Sequence, residues 1–335
     1  MRQSYWADEG IRLRDVEPPP LQDGWVRLQV KACGICGSDL HRLKNPNPNA
    51  RPGIGGTPGH ELTGTVLDSR ADIADALYAV EPWLYCGVCE YCRIGKTEHC
   101  SNGKLVGAGV AGGLADFIDV PAANLHAADA SLSPREASLN EPFGICTRTI
   151  HLVEPKMDSR VLVLGAGTLG LICGVLARDY AGRVAVTARY PHQADAARAM
   201  GIEPVAEAEA DAFAQAFEPD VVIESVGGHA NTIDQAMRAV RPGGRVVVQG
   251  LFSHEPAFNA RLLIMKEIRL VGSKFFGNSE HGPVFAAASR LLPRYRDEIR
   301  RMQTHQFALD DIAAAFAAAV DRDVPSIKIT VETAS

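Results

Sequence analysis

Over roughly the first 140 residues, short stretches alternate apolar and polar positions in the two-residue period of a half-buried strand. Trp25-Val26-Arg27-Leu28-Gln29-Val30 predicts one such strand and Glu61-Leu62-Thr63-Gly64-Thr65-Val66-Leu67 a second, in a region rich in Gly and Pro. The pattern then changes. Arg160-Val161-Leu162-Val163-Leu164 is continuously apolar after its first residue, as expected of a parallel strand buried on both faces. Further apolar runs at Val184 to Val186, Val221 to Ile223 and Arg245 to Gln249 alternate with helices predicted near 168–180, 191–200 and 229–240. Arg241-Pro242-Gly243-Gly244 stops one helix and turns into the next strand. This βαβ rhythm predicts an α/β fold with a doubly wound parallel sheet. It lapses after Lys274-Phe275-Phe276, and the tail predicts a helix from Leu309 to Val320 and a strand from Ile327 to Val331. The Ala-rich stretches at 194–217 and 312–319 read as plain helix.

A length of 335 residues predicts about two domains, and 46% hydrophobic with 22% charged residues excludes a disordered chain. A net charge of −6 argues against a general binder of nucleic acid or anionic membrane. No apolar run reaches the roughly 18–20 residues that a bilayer span needs. The opening Met1-Arg2-Gln3-Ser4-Tyr5-Trp6 lacks the apolar core of a secretion signal, so a soluble, cytoplasmic protein is expected. In that setting the eight cysteines read as thiols or metal ligands rather than disulfides.

Four of them, Cys86, Cys89, Cys92 and Cys100, have the spacing C-x2-C-x2-C-x7-C. Four thiolates on one short loop close a tetrahedral shell around Zn²⁺ and leave no position for substrate, so this site is expected to be structural. Cys33, Cys146 and Cys173 read as buried thiols. A second set of motifs is open to more than one reading taken singly: Gly34-Ile35-Cys36-Gly37-Ser38-Asp39-Leu40-His41, Pro58-Gly59-His60-Glu61 and Asn140-Glu141-Pro142. Cys36 alone could be a core residue, His60 a structural histidine and Glu141 a helix cap.

Gly165-Ala166-Gly167-Thr168-Leu169-Gly170 follows the buried strand directly and opens a helix, the context that makes this glycine pattern a dinucleotide-binding loop. Such a loop brings a pyrophosphate onto the helix N-terminus. About twenty residues on, an NAD-preferring site places an acid at the end of the second strand. Here Val184-Ala185-Val186-Thr187-Ala188-Arg189-Tyr190 puts Ala188 at that position, and Arg189 follows. Its guanidinium could pair bidentately with a 2′-phosphate, with Tyr190 or His192 adding contacts; alternatively it stacks on adenine or faces solvent.

Taken together, the Cys36 motif, Gly59-His60-Glu61, the four-cysteine lobe, Glu141-Pro142 and the nucleotide loop resemble the zinc-dependent medium-chain dehydrogenase/reductase family, closest to its polyol and threonine dehydrogenase branch. The resemblance spans nearly the whole chain. It implies that Cys36, His60 and Glu141 hold a catalytic Zn²⁺, with two zinc ions per chain once the structural lobe is counted. It implies that Glu61 lies beside the metal and that Ser38 accepts the substrate alcohol's proton; His41 either continues the relay or is a structural surface histidine. A small residue before arginine, as in Ala188-Arg189, resembles the NADP-dependent secondary alcohol dehydrogenases, so NADP(H) is expected over NAD(H).

The fold implied is a GroES-like β-rich catalytic domain over 1–142, a Rossmann domain over 143–276 and a return to the catalytic domain over 277–335. The segment 45–57 reads as a loop lining the cleft. The expected activity is hydride transfer between NADP(H) and a secondary alcohol, polyol or sugar-like hydroxyl or ketone, in a homodimer or homotetramer with a small-molecule alcohol or carbonyl substrate. A biosynthetic reductase of a bulky carbonyl is an alternative on the same site; a catalytically silent dinucleotide sensor would not need the full set of Cys36, Ser38, His60 and Glu141.

Overall fold

The alternation at Trp25–Val30 continues into a ten-residue strand, Trp25–Gly34, which buries every second side chain up to Ala32 and then each of its last residues. The structure, a computed structural model, describes residues 1–44 and 56–333. The loop expected over 45–57 therefore lies outside the described residues except at its last two positions. The chain divides into two compact units, Met1–Gly144 with Gly277–Ser335, and Ile145–Phe276.

In the first unit a seven-stranded sheet runs in the order Gln303–Ala308, Lys328–Glu332, Trp25–Gly34, Glu61–Ser69, Leu77–Val80 and Leu125–Ala127, with Phe117–Pro121 also paired to the long strand. Its core includes Val26, Leu28, Leu62, Leu114 and Phe316, the last packed edge-on against Trp6 at 5.6 Å. Burial of each such side chain contributes about 1.5–3 kcal/mol. Two registers position the functional residues. Gly34 pairs with Glu61 on one side and with Thr330 of the returning C-terminal strand on the other. Segments from near both ends of the chain therefore converge on the end of one strand.

The same unit carries a buried acid outside any candidate site. Ser133 and Glu136 form a reciprocal capping box at the helix Pro134–Ala137, and Glu136 also meets Arg296 at 3.0 Å and Arg300 at 2.5 Å. Burial works against its charge, yet Arg296, the Ser133 N–H and Arg300 together bring its pKa down to about 2. A depressed carboxylate stabilises the fold above its unfolded pKa, and that contribution is lost as pH falls through the folded value. Wild-type stability should thus decline between about pH 4.5 and 2 by roughly 1–3 kcal/mol more than that of Glu136→Gln. Parallel acid titrations followed by circular dichroism check this; coincident curves would remove Glu136 from the account.

The second unit is a six-stranded parallel sheet in the order 203–206, 183–188, 160–164, 221–224, 245–248, 269–272. Its core includes Leu162, Leu164, Ala185, Val222, Met237 and Val246. The strand order reverses between 160–164 and 221–224, whose carboxyl ends are in register at Leu164 and Glu224. Ligands of open α/β sheets bind at such a reversal. One expectation is corrected here: the Ala-rich stretch 194–217 is not plain helix. The helix Pro191–Ala199 ends as Gly201 takes φ +71°, the strand Glu203–Ala206 follows, and a new helix spans Ala210–Phe217. Pairing with the strand Arg183–Ala188 outweighs alanine's helix propensity. Among the described residues no helix is long and apolar enough to cross a membrane.

Candidate metal centres and dinucleotide cleft

The four-cysteine lobe is a tight knuckle in the first unit. The Sγ atoms of Cys89 and Cys92 lie 3.5 Å apart, those of Cys89 and Cys100 3.8 Å, and those of Cys100 and Cys86 3.5 Å, with no disulfide. An ion with bonds of about 2.3 Å to sulfur sets tetrahedral neighbours about 3.8 Å apart, so the donor set fits Zn²⁺. Backbone N–H groups of Val88 and Cys89, with the Asn102 amide, bring the Cys86 thiol down to about 6. Trp83 Nε1 donates to Thr97 O at 2.7 Å and Asn278 Nδ2 to Gly95 O at 2.5 Å, tying the lobe to the unit.

A second donor set stands at the end of the long strand. Donor atoms of Cys36, His60 and Glu61 lie within 4.8 Å of one another. Cys36 is fixed by Asp39, fully buried, whose carboxylate accepts the Cys36 N–H at 3.1 Å as the helix Gly37–Lys44 begins. Glu141, in the first turn of the helix Asn140–Val153, is buried beside the set although its carboxylate falls outside that 4.8 Å grouping. Burial pushes its pKa up to about 8; His60 opposes the rise, whereas Glu61 and Cys36 add to it. Burial, then Glu61, likewise pushes the Cys36 thiol up to about 12, with Lys328 and a hydrogen bond from Ser38 pulling the other way. A buried divalent cation is the charge that would allow thiol and carboxyl to ionise together. The buried His60 Nδ1 has no hydrogen-bond partner. The donor chemistry thus fits a zinc ion. His41 follows Ser38 by one helical turn and is half-buried.

Glu61 is tied to Lys328, and both are about 2% exposed. Lys328 Nζ also donates to Ile35 O at 2.9 Å. Gly34 makes room for the pair: a Cβ there would collide with the Glu61 carboxylate and the Lys328 stem.

In the second unit, Leu164, Gly165, Gly167, Thr187, Arg189, Tyr190, Glu207 and Val226 are among the residues that line a cleft of about 230 Å³. Gly165 adopts φ +96°, a Cβ on Gly170 would strike Gly165 O, and Gly167 faces open space. The helix Thr168–Arg178 starts there with no side-chain cap at Gly167, and a helix N-terminus is the end that attracts an anion. This cradle fits a pyrophosphate. Leu169 O accepts from the Cys146 thiol at 3.3 Å. Ala188 is buried at the strand end, and Tyr190 stacks on His192 at 5.6 Å. Arg189 faces neither open solvent alone nor an empty cleft: its Nε and Nη2 donate to the two Glu207 oxygens at 2.6 and 2.7 Å.

Two family profiles match the chain, "alcohol dehydrogenase GroES-like domain" over 22–130 and "zinc-binding dehydrogenase" over 168–291. L-threonine 3-dehydrogenase of Pyrococcus horikoshii is 31% identical over 286 residues, covering 78% of this chain and 79% of that protein. The chain belongs to the zinc-dependent medium-chain alcohol dehydrogenase family. This dehydrogenase is also 29% identical to L-galactonate-5-dehydrogenase of Escherichia coli K12, over 92% of its own length and 90% of the relative's. A zinc-binding dehydrogenase of Sinorhizobium meliloti 1021, solved bound to NADP, superposes with a TM-score of 0.87 at 27% identity over 99% of both chains. The fold class is thereby a GroES-like domain with a Rossmann domain, and the enzyme class is a zinc-dependent oxidoreductase acting on CH–OH.

Sequence reasoning missed three residues of this dehydrogenase. Lys328 had a signal, a lysine inside the apolar run Ile327 to Val331. Asp39 lay within a quoted motif without a role. Glu207 was hidden because the strand before it was read as helix.

Proposed function

We propose that this dehydrogenase moves a hydride between NADP(H) and a secondary alcohol, polyol or sugar-like hydroxyl or ketone. The observation that carries the reading is the close grouping of half-buried Cys36 with buried His60 and Glu61, and Glu141 beside it. In this reading Cys36, His60 and Glu141 hold the catalytic zinc and the four-cysteine lobe holds a structural one. When bound, the catalytic ion polarises the substrate oxygen as a Lewis acid. Ser38 accepts the substrate hydroxyl's proton and passes it towards His41, one turn away. Lys328 pairs with Glu61, whose carboxylate stands close to Cys36 and His60.

Gly165, Gly167, Thr168, Leu169 and Gly170 would cradle the pyrophosphate; Ala188, Arg189 and Tyr190 would face the adenosine ribose. The small Ala188 and the guanidinium of Arg189 support NADP(H) over NAD(H). The names of the relatives, an aldonate and a threonine dehydrogenase, support a hydroxylated substrate. A homo-oligomer is supported by the edge strand Arg269–Gly272, which has a single strand partner among the described residues, and by exposed Leu251, Ile264 and Met265. We infer a reducing, cytoplasmic compartment, in which a four-thiol lobe persists.

The experiment is a panel of polyols, aldonates, amino-alcohols and ketones with each cofactor, in wild type and Arg189→Ala. Turnover of at least one hydroxylated substrate with NADP(H) is expected, and Arg189→Ala should erase most of the preference, about tenfold or more. Equal use of both cofactors by the wild type would reject the NADP(H) part. Failure across the panel would reject the substrate class.

A further inference from the structure

We propose that Glu207 is the specificity residue of the adenosine ribose site, supplying from the neighbouring strand the acid that Ala188 lacks and opposing a cofactor 2′-phosphate. The inference rests on reading the cleft as a dinucleotide site, but not on which dinucleotide the wild type prefers.

The strands Arg183–Ala188 and Glu203–Ala206 run parallel with Ala188 opposite Ala206. The next residue on each, Arg189 and Glu207, is therefore brought side by side at the carboxyl end of the sheet, and both line the cleft. Their pairing is fork to fork, each carboxylate oxygen on its own guanidinium nitrogen. A phosphate bound side-on would compete for those same two nitrogens. Arg189 thus offers a 2′-phosphate its side-on face only by releasing Glu207.

Both side chains are about half exposed, 54% and 48%. At such exposure the ion pair itself breaks at small cost, because water solvates both groups. The carboxylate does not leave when the pair breaks. It stays one strand spacing away, where a phosphate carrying close to two negative charges would be repelled. A ribose 2′-hydroxyl at the same place has the opposite experience: it donates a hydrogen bond to Glu207, the service an acid at the strand end normally performs. Arg189 favours the phosphorylated cofactor and Glu207 disfavours it, so the balance between them sets the preference.

Glu207→Gln isolates the charge, since glutamine keeps the length and an acceptor oxygen. The measurement is calorimetric binding of NADPH and of NADH to zinc-loaded wild type and Glu207→Gln, without substrate, so turnover plays no part. NADPH should bind about tenfold tighter to the variant while NADH changes by less than about threefold, and the difference should shrink as salt is raised. An unchanged NADPH affinity, weaker NADPH binding, or an equal change for both cofactors would overturn the role of Glu207 while leaving the dinucleotide site intact. Binding of neither cofactor to the wild type would overturn the dinucleotide reading and this inference with it.

Discussion

Lys328→Met should lower the stability of the first unit by about 3–5 kcal/mol, the largest structural effect expected of any single substitution here. Lys328 and Glu61 sit almost entirely out of water, joined to each other, with the lysine also donating to Ile35 O. Burial favours a neutral amine, but Glu61 and then Cys36 hold the Lys328 pKa above its usual value. Removing the ammonium leaves a carboxylate with no counter-charge in a site that cannot rehydrate it. Methionine fills most of the lysine stem's volume, so the loss reports charge rather than a cavity. The double variant Lys328→Met with Glu61→Gln removes both charges and should recover most of the loss. Urea unfolding of metal-free protein tests both variants. A single variant as stable as wild type, or a double variant worse than the single, would end the claim that the pair matters as a pair.

The sheet of the second unit was legible because burial on both faces leaves a simple trace. Continuous apolar runs such as Val161 to Leu164 have no other common explanation once helices fall between them. The strand Glu203–Ala206 was not legible: its residues include Glu, Pro and Ala, none a strand former, and pairing with a neighbour decides its conformation. Glu207 was lost with it, which is why Arg189 could be read toward a phosphate while its partner went unnoticed.

At the metal centre, residue types were readable and their exact grouping was not. Spacing brings Cys89 and Cys92 together locally, so the cysteine lobe could be read from spacing. Cys36, His60 and Glu141 are joined only by tertiary pairing, and the structure puts Glu61, rather than Glu141, within the close set. A lysine from the far end of the chain decides where Glu61 points, through the register that places Gly34 between the two strands. No local pattern near Glu61 carries that information.

Cys36→Ala should reduce turnover by at least about a thousandfold, the largest functional effect expected. Under the proposed ligand set, the Cys36 thiolate and the Glu141 carboxylate would offset the charge of Zn²⁺, and three protein ligands would leave room on the ion for the substrate oxygen. Without the thiolate, two ligands remain, and metal occupancy should fall from close to two ions per chain towards one. Dinucleotide binding should change by less than about threefold, because every residue lining the cleft belongs to the other unit. Cys92→Ser is the matching control. It should also remove one ion, but its first consequence should be a lower melting temperature, since the lobe closes its own shell. Metal analysis, cofactor calorimetry and initial rates on the two variants separate a catalytic ion from a structural one. Cys36→Ala with two ions bound, or with turnover within tenfold of wild type, would move the chemistry away from this cysteine.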